Sequence, residues 1–405
     1  MYKMLRDKNE GLRKNAMDFA ARLIQIPSPS LNEQKMAETV EKEMIRIGYD
    51  KVFRDKAGNV VGIINGRAIN PAILLCSHMD TVDADKGESW VDDPCSGIVR
   101  DGMIFGRGAS DCKGGLAAQV YAGALLKRSL LPLQGTLVVA ATVAEENGMS
   151  MGTRILLGET LPELMIKPDF AVLGEPTGLG LYYGHDGWME MDVRLQGADS
   201  FNVGDAAGAV TNEIRDNYMK RSSGEYELSQ PEFDSTSGDK QVLIRLKRRL
   251  NASEQADDVV HLVEKRAAVA AKMSGIIAVN AFLRKENQKM YTGRLVQASH
   301  MTKAWATDPY NTMLERARES MAAAGCAIRP DKWKLKHIGM GTAGSVFLNE
   351  FGIPVIGYGP GTEEAAHAVN ECVEMKSIEE AIFGTAVIAH GIAGIPVCGW
   401  TLDEI

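Results

Sequence analysis

A histidine and an aspartate follow an apolar stretch at the spacing that a strand needs to bring two side chains together. The stretch runs from Leu74 to Ser77, and His78 and Asp80 come directly after it. Residues two apart on an extended chain point to the same side, so the Asp80 carboxylate could reach the second ring nitrogen of His78. A carboxylate there fixes the tautomer of a metal-binding imidazole and raises its basicity. The pattern predicts a metal ligand delivered by a strand.

Further acidic residues and a second histidine follow in short clusters along the chain. Asp111 lies in the glycine-rich segment GRGASDCKGG, and Glu145 and Glu146 directly follow another apolar stretch. Glu175 stands in the segment GEPT, and His367 comes soon after the segment GPG. Imidazole nitrogens and carboxylate oxygens are donors that suit zinc, cobalt or manganese. Together with His78, these clusters predict a site for divalent metal.

In this order, the motifs resemble the zinc metallopeptidase family that includes the aminoacylases, acetylornithine deacetylase, succinyl-diaminopimelate desuccinylase and carboxypeptidase G. The resemblance implies a site for two divalent metal ions, with zinc as the first expectation and manganese or cobalt as alternatives. It implies that Asp111 bridges the two ions. The remaining ligands would be His78 and Glu175 on one ion, and Glu146 and His367 on the other.

The same resemblance implies a reaction and the residues that carry it. A metal-activated water would attack a C–N bond of a small molecule, such as an amide, an N-acyl amino acid or a dipeptide. Glu145 would act as the general base that takes the proton from this water and later gives it to the leaving nitrogen. Asp80, through His78, completes the predicted catalytic pair.

The arrangement of apolar stretches predicts an α/β fold. Helical and strand-like segments alternate up to Glu175, and each cluster of candidate ligands follows a strand, as at the carboxyl ends of strands in an α/β sheet. From Trp188 the pattern changes to alternating strands separated by helices. We therefore expect a mixed-sheet catalytic domain, residues 1–187 and 291–405, with an inserted α+β domain, residues 188–290. The resemblance implies that the insertion is a ferredoxin-like lid and dimerisation domain.

One position departs from the family pattern. Relatives commonly carry a lid histidine that donates a hydrogen bond to the substrate oxyanion, and Phe201 stands at the matching place. Loss of one such donor costs about 3 kcal/mol of transition-state stabilisation, and Asn202 is a candidate replacement. Phe201 also suggests an alternative reaction, an aminohydrolase that releases ammonia from a small amine, with aromatic amines among the candidates. His185, at the domain junction, is a further candidate for substrate binding.

Composition limits the other classes of function. The chain has 405 residues, a net charge of −8 and no long basic run, which argues against nucleic acid as a partner. No apolar stretch approaches the roughly 20 residues that span a bilayer, so we expect a cytoplasmic enzyme of a small-molecule substrate. The resemblance implies a homodimer or a higher homo-oligomer. A noncatalytic binding protein is a weaker alternative, because every predicted ligand and Glu145 are present.

Overall fold

The computed structural model describes residues 1–84, 89–147, 149–219, 225–238, 240–275, 277–335 and 338–395. Within these ranges the α-helices are α1 (Tyr2–Ile24), α2 (Gln34–Ile47), α3 (Gly114–Ser129), α4 (Met151–Ile155), α5 (Leu161–Glu163), α6 (Ser200–Asn212), α7 (Ala256–Ala271), α8 (Thr312–Ala323) and α9 (Met375–Ala393). The strands are β1 (Lys51–Arg54), β2 (Val60–Ile64), β3 (Ile73–His78), β4 (Ile98–Arg100), β5 (Met103–Phe105), β6 (Leu137–Thr142), β7 (Phe170–Leu173), β8 (Leu181–Tyr182), β9 (Gly184–His185), β10 (Gly187–Gln196), β11 (Tyr226–Leu228), β12 (Glu232–Phe233), β13 (Gln241–Leu250), β14 (Ala278–Leu283), β15 (Lys285–Lys289), β16 (Leu295–Ser299), β17 (Met301–Thr302), β18 (Trp305–Ala306), β19 (Pro330–Asp331), β20 (Val355–Gly357) and β21 (Cys372–Glu374).

The largest sheet is mixed, as the sequence predicts. Its strand order is β1-β2-β6-β3-β7-β20-β8-β19. The four central strands, β6, β3, β7 and β20, run parallel to one another, whereas β1 and β2 are antiparallel to their neighbours. The carboxyl ends of the four parallel strands therefore meet at one edge, where ligand sites of α/β sheets lie.

Both faces of this sheet are covered, which explains why its central strands read as continuous apolar runs. In β3, Leu75 packs into a core shared with helices α1, α2, α3, α8 and α9. Its neighbour Leu74 points to the opposite face and packs with Trp305, Trp333 and Phe347. Because Leu74 and Leu75 are fully buried, truncation of either to alanine is expected to cost about 2–5 kcal/mol of folding stability.

The inserted segment forms a second, antiparallel sheet of order β11-β13-β10-β14, with α6 and α7 on one face. Apart from the two-residue strand β12, the chain order is β10-α6-β11-β13-α7-β14, which is the strand-helix-strand-strand-helix-strand order of the ferredoxin-like motif. In β13 the buried residues Val242, Ile244 and Leu246 alternate with partly exposed ones. This period of two buries one face of the strand against the helices. The predicted fold class, a mixed-sheet α/β domain with a ferredoxin-like insertion, is confirmed.

The chain returns to the catalytic domain through the hairpin β15–β16. The hydroxyl of Tyr291, at its tip, donates to the carbonyl of Gly58 at 2.8 Å. Gly58 has φ +101°, and a side chain there would collide with the Tyr291 ring. Beyond the hairpin, β17 still pairs with β10 of the inserted sheet, and β18 pairs with β9. The exact division at residues 188 and 290 stays a prediction.

Candidate metal centre

The predicted ligands lie at the carboxyl edge of the four parallel strands. His78 is the last residue of β3, and Glu145 and Glu146 follow β6. Glu175 follows β7, and His367 lies in the loop after β20. Adjacent parallel strands end side by side, so residues more than 200 positions apart in sequence converge here. Asp111 enters the same space from the turn before α3.

The carboxylate of Asp111 contacts both histidines. Its Oδ1 lies 3.1 Å from Nε2 of His78, and its Oδ2 lies 3.3 Å from Nε2 of His367. The same Nε2 atom of each histidine also faces a second carboxylate: Glu146 Oε1 is 2.9 Å from Nε2 of His367, and Glu175 Oε2 is 3.9 Å from Nε2 of His78. One carboxylate between two histidine–carboxylate pairs is the arrangement that a bridging ligand of two cations requires.

The electrostatics of this cluster favour a bound cation. Burial raises the pKa of Glu175 well above its usual range, and the nearby carboxylates of Asp111, Glu145 and Glu146 raise it further, while His78 opposes the shift. Burial alone lowers the pKa of His367, but Glu146 and Asp111 outweigh it and raise that pKa to about 11. The cluster thus concentrates negative charge that positive charge must compensate. Its nitrogen and oxygen donors fit zinc, cobalt or manganese.

Asp80 supports the site through different atoms from those that the sequence suggests. Nδ1 of His78 donates to the main-chain carbonyl of Asp80 at 2.9 Å, whereas the Asp80 carboxylate lies 3.8 Å from that nitrogen. The carbonyl therefore fixes the tautomer and leaves Nε2 of His78 for a metal. The Asp80 carboxylate instead accepts the main-chain N–H groups of Glu145 and Glu146, each at 3.0 Å. It orients the acidic loop rather than the histidine.

Two residues from the connection between α1 and α2 complete the support of the loop that follows β6. Glu33 is 1% exposed, and its Oε1 accepts the N–H of Ala144 at 2.9 Å. The hydroxyl of Ser30 donates to Asp80 at 2.6 Å and accepts the N–H of Asn147 at 3.1 Å. Four consecutive main-chain N–H groups are therefore held by side chains. This support maintains Ala144 at φ +53°, a left-handed conformation that costs about 1–3 kcal/mol for a residue with a side chain.

A buried glutamate supports the Asp111 turn in a similar way. Glu371 is 1% exposed and accepts the N–H groups of Gly108, Ser110 and Asp111 at 2.8–2.9 Å. It also pairs with the buried guanidinium of Arg107 at 2.9 Å. A buried carboxylate with this many donors holds its neighbours firmly. Asp111, the predicted bridging ligand, is thus held in place by a residue outside the predicted ligand set.

Glu145, the predicted general base, is buried beside the cluster. Its carboxylate accepts a hydrogen bond from the hydroxyl of Ser150 at 2.9 Å. Burial raises the pKa of Glu145 to about 8, with Glu146 and Asp80 adding to the shift and His78 opposing it. A carboxyl group with a pKa near neutrality is suited to both accepting and returning a proton.

Comparison with known proteins identifies the family to which this chain belongs. The profile of peptidase family M20/M25/M40 matches residues 74–390. The chain belongs to this family. It is similar to the uncharacterized protein YgeY of Escherichia coli K12, with 28% identity over 389 residues, which cover 91% of this chain and 92% of YgeY. It is also 31% identical over 188 residues to a probable succinyl-diaminopimelate desuccinylase of Staphylococcus aureus Mu50, covering 45% of each chain.

Solved structures agree on the fold of this M20 chain. The di-peptidase Dug1p of Saccharomyces cerevisiae superposes with a TM-score of 0.74 at 14% identity, covering 98% of this chain and 99% of that chain. The chain is therefore an M20 hydrolase that acts on C–N bonds, as the motifs predict, and the family is dinuclear and metal-dependent. None of the described helices combines the length and apolar character needed to cross a bilayer.

The lid residues of this M20 chain lie in a different environment from the metal cluster. Phe201 is 81% exposed, in the first turn of α6. The side-chain amide of Asn202 donates to the carboxylate of Asp199 at 2.8 Å, and Asp199 also accepts the N–H of Asn202 as the helix cap. Within the chain, Asn202 therefore serves the helix terminus. The side-chain amide has a second N–H, which its predicted role as an oxyanion donor would use.

His185 has both ring nitrogens engaged within the M20 chain. Nδ1 donates to the carbonyl of Asp186 at 2.8 Å, and Nε2 accepts the N–H of Thr342 at 3.0 Å. Burial lowers the pKa of His185 to about 4, so the ring is neutral at pH 7. The ring also contacts Trp305 and Trp333 edge-on. A substrate could bind His185 only by displacing Thr342, so the structure favours a packing role over the predicted binding role.

Sequence reasoning missed three residues around the cluster: Glu33, Glu371 and Cys112. The two glutamates gave no usable signal, because a buried acid that accepts main-chain N–H groups reads in sequence like any surface acid. Cys112 follows Asp111 directly, and its thiol lies among the ligand atoms of the His78 side of the cluster. The sequence gives no signal for this residue, because the cysteines of the chain lack the paired spacing of thiolate zinc sites.

Proposed function

We propose that this M20 hydrolase cleaves the amide bond of a small dipeptide-like or N-acyl amino acid substrate, with two divalent ions and Glu145 as the general acid and base. One observation carries the proposal: the two oxygens of Asp111 lie within 3.3 Å of His78 and His367, each backed by a further carboxylate. A buried, unassigned carboxylate, Glu145, stands beside this pair. A bridging acid with a separate base is the minimum that dinuclear amide hydrolysis needs.

The residues of the cluster divide into ligands and supports. His78 and Glu175 would hold one ion, Glu146 and His367 the other, and Asp111 both. Such a pair of ions, when bound, polarises the scissile carbonyl and lowers the pKa of the attacking water. The supports keep these ligands in place through the main chain, at the Asp111 turn and at the loop that follows β6.

Glu145 performs the proton transfers in this proposal. Its carboxylate takes a proton from the attacking water and delivers it to the amide nitrogen as the C–N bond breaks. Ser150 holds one carboxylate oxygen at 2.9 Å, which leaves the other free for the proton. Asp80 fixes the main-chain N–H of Glu145 at 3.0 Å, so the base keeps its direction between the two transfers.

The substrate class rests on the named relatives. The Staphylococcus aureus relative is described as a probable desuccinylase and Dug1p as a di-peptidase, and both names denote amide cleavage in small molecules. The shared chemistry is an amide that carries a carboxylate group close by. N-succinyl and N-acetyl amino acids and unblocked dipeptides are therefore the first substrates to test.

The test is a hydrolysis assay with metal-reconstituted protein and two detectors. Freed amino groups are measured on dipeptides and N-acyl amino acids, and ammonia is measured on small aromatic amines. Glu145→Gln is the active-site control, and Glu163→Gln, an exposed acid paired with Lys56, is the matched surface control. Release of amino acid by the wild type and Glu163→Gln, but not by Glu145→Gln, supports the proposal. No turnover of any amide with two ions bound per chain would contradict it.

The aminohydrolase alternative stays a prediction of the sequence, and the ammonia detector decides it. Phe201 motivates this alternative, but its ring is 81% exposed and so lacks the stacking environment that an aromatic substrate would need within one chain. Ammonia release without amide cleavage would replace the proposed reaction.

The inserted domain supports the further proposal of a homodimer. β14 pairs with β10 on one side, and in the described ranges no strand pairs with its other side. An unpaired edge of this kind can be extended by the same strand of a second copy. Light scattering during size-exclusion chromatography should give twice the chain mass at micromolar concentration, and a monomer mass would contradict the proposal.

A further inference from the structure

The two halves of the metal cluster do not offer the same number of donors. Among the residues that the structure describes, the side of His367 has three, from Asp111, Glu146 and His367. The side of His78 has four within the same residues, because Cys112 joins His78, Asp111 and Glu175, with all four ligand atoms within 4.8 Å of one another. A tetrahedral zinc site with bonds of about 2.0–2.3 Å places its donors about 3.3–3.8 Å apart. The four donors, at up to 4.8 Å from one another, need only a small inward movement to reach this spacing.

The thiol of Cys112 is available for this role. The residue is 0% exposed, and its thiol lies against the His78 side chain. The sulfur also donates to the main-chain carbonyl of His78, over a long 3.6 Å. Sulfhydryl groups are weak hydrogen-bond donors, so this contact is easily exchanged for a metal bond. Cys76, another fully buried thiol, lies two residues before His78 but points to Thr142, at 3.9 Å, and is outside the four-donor group.

We propose that Cys112 is the fourth protein ligand of the His78 half-site, which then holds a thiophilic dication in closed coordination, while the three-donor half-site keeps the position open to water and substrate. The inference rests on the proposed two-metal function. On binding, the Cys112 thiol loses its proton to solvent and a sulfur–metal bond forms, without any change of oxidation state. Zinc sites follow the same division: closed sites have four protein ligands and catalytic sites three.

The inference makes metal preference a property of one side chain. Thiolate ligands favour zinc and cobalt, whereas manganese prefers oxygen donors. The His78 half-site should therefore select zinc or cobalt over manganese, and Cys112→Ser should reduce that selectivity by at least about tenfold, the scale on which ligand changes alter affinity. Cys76→Ser, which changes a buried thiol outside the donor group, should leave the selectivity unchanged.

The deciding experiment is absorption spectroscopy of the cobalt-reconstituted protein, with metal content measured in parallel. Wild type and Cys76→Ser should show a sulfur-to-cobalt charge-transfer band in the near ultraviolet with two ions per chain, and Cys112→Ser should lack it. Because the wild-type spectrum alone tests for a sulfur ligand, the inference remains testable if Cys112→Ser fails to fold.

The outcomes separate this inference from the proposed function. Two cobalt ions bound without the band would overturn the role of Cys112 and leave amide hydrolysis untouched. A band in the wild type without hydrolysis of any amide would support Cys112 and contradict the proposed substrate class. A band that persists in Cys112→Ser would also overturn the inference, and a chain that binds no cobalt would overturn both.

Discussion

The two halves of the metal cluster share one bridging carboxylate but differ in exposure. On one side, the side chains of His78 and Glu175 are 2% and 6% exposed. On the other, those of Glu146 and His367 are 10% and 20% exposed. The first half follows two central strands of a sheet covered on both faces, whereas His367 lies in a loop with φ +59°. Burial therefore divides a nearly symmetric set of predicted ligands into two halves. We call the more buried pair, His78 and Glu175, the inner half, and the more exposed pair, Glu146 and His367, the outer half.

The difference suggests where the chemistry takes place. An inner half that is saturated by protein donors can anchor an ion but cannot easily accept a substrate. The outer half is the more exposed of the two, and Glu145, the predicted base, is the sequence neighbour of Glu146, a predicted ligand of this half. Substrate access and proton transfer should therefore both concern the outer half, and the inner half should act on structure and charge.

The largest expected effect comes from Glu145, which holds no metal in this scheme. Glu145→Gln should lower kcat for amide hydrolysis by about 10²–10⁴-fold, which is the range of general acid–base catalysis. The reason is that the glutamine side chain cannot take the proton from the attacking water. Both ions should remain bound, as measured by elemental analysis of the same sample. Loss of an ion along with activity would mean that Glu145 is a ligand, and the assignment of Glu145 and Glu146 would be exchanged.

Removal of metal tests the comparison directly. A chelator titration of the zinc-loaded protein should remove the outer ion at a concentration at least about tenfold lower than the inner ion, because a missing ligand costs that much affinity. Hydrolysis should disappear with the first ion. His367→Ala should leave one tightly bound ion per chain. Release of both ions in a single step would show that the two halves are equivalent.

The ligands could be predicted from sequence because each follows a strand or a glycine-rich turn in a fixed order. The division into an inner and an outer half could not be predicted from sequence, because the exposure of each ligand depends on how separate loops pack. Asp80 shows the limit: its position beside His78 was read correctly as support, but its carboxylate binds the loop after β6 and its carbonyl binds the imidazole. A side chain and a carbonyl of the same residue cannot be told apart by spacing alone.

The support of the outer half can be weakened without touching a ligand. Glu33→Ala leaves the N–H groups of Ala144 and Leu31 without their carboxylate acceptor. Each unsatisfied N–H group costs about 1–3 kcal/mol of stability. Because the loop that carries Glu145 and Glu146 then loosens, kcat should fall about tenfold. Glu33→Gln keeps an oxygen acceptor and should recover most of kcat. KM should change less than kcat in both variants.

A matched change at the turn that carries Asp111, the proposed shared ligand, and Cys112, the proposed inner ligand, sharpens this result. Glu371→Gln keeps an acceptor for the Asp111 turn but removes the charge that faces Arg107, so it should lower stability in a thermal unfolding assay. If the inner half is an anchor, affinity for its ion should fall in Glu371→Gln and not in Glu33→Gln. Equal losses of inner-ion affinity in both variants would show that the two loops are not independently supported.

The smallest effect is expected at the lid. Phe201→Ala removes an exposed ring, and if the lid of a single chain does not reach the substrate, kcat for amides should change by less than about threefold, which is under 1 kcal/mol of transition-state free energy. Phe201→His introduces the imidazole donor that the family resemblance implies at this position. A rise in kcat for Phe201→His, absent in Phe201→Ala, would place this residue at the oxyanion, by way of a partner subunit. The outer half of the cluster would then be completed by the lid, and its openness in one chain would reflect the missing partner.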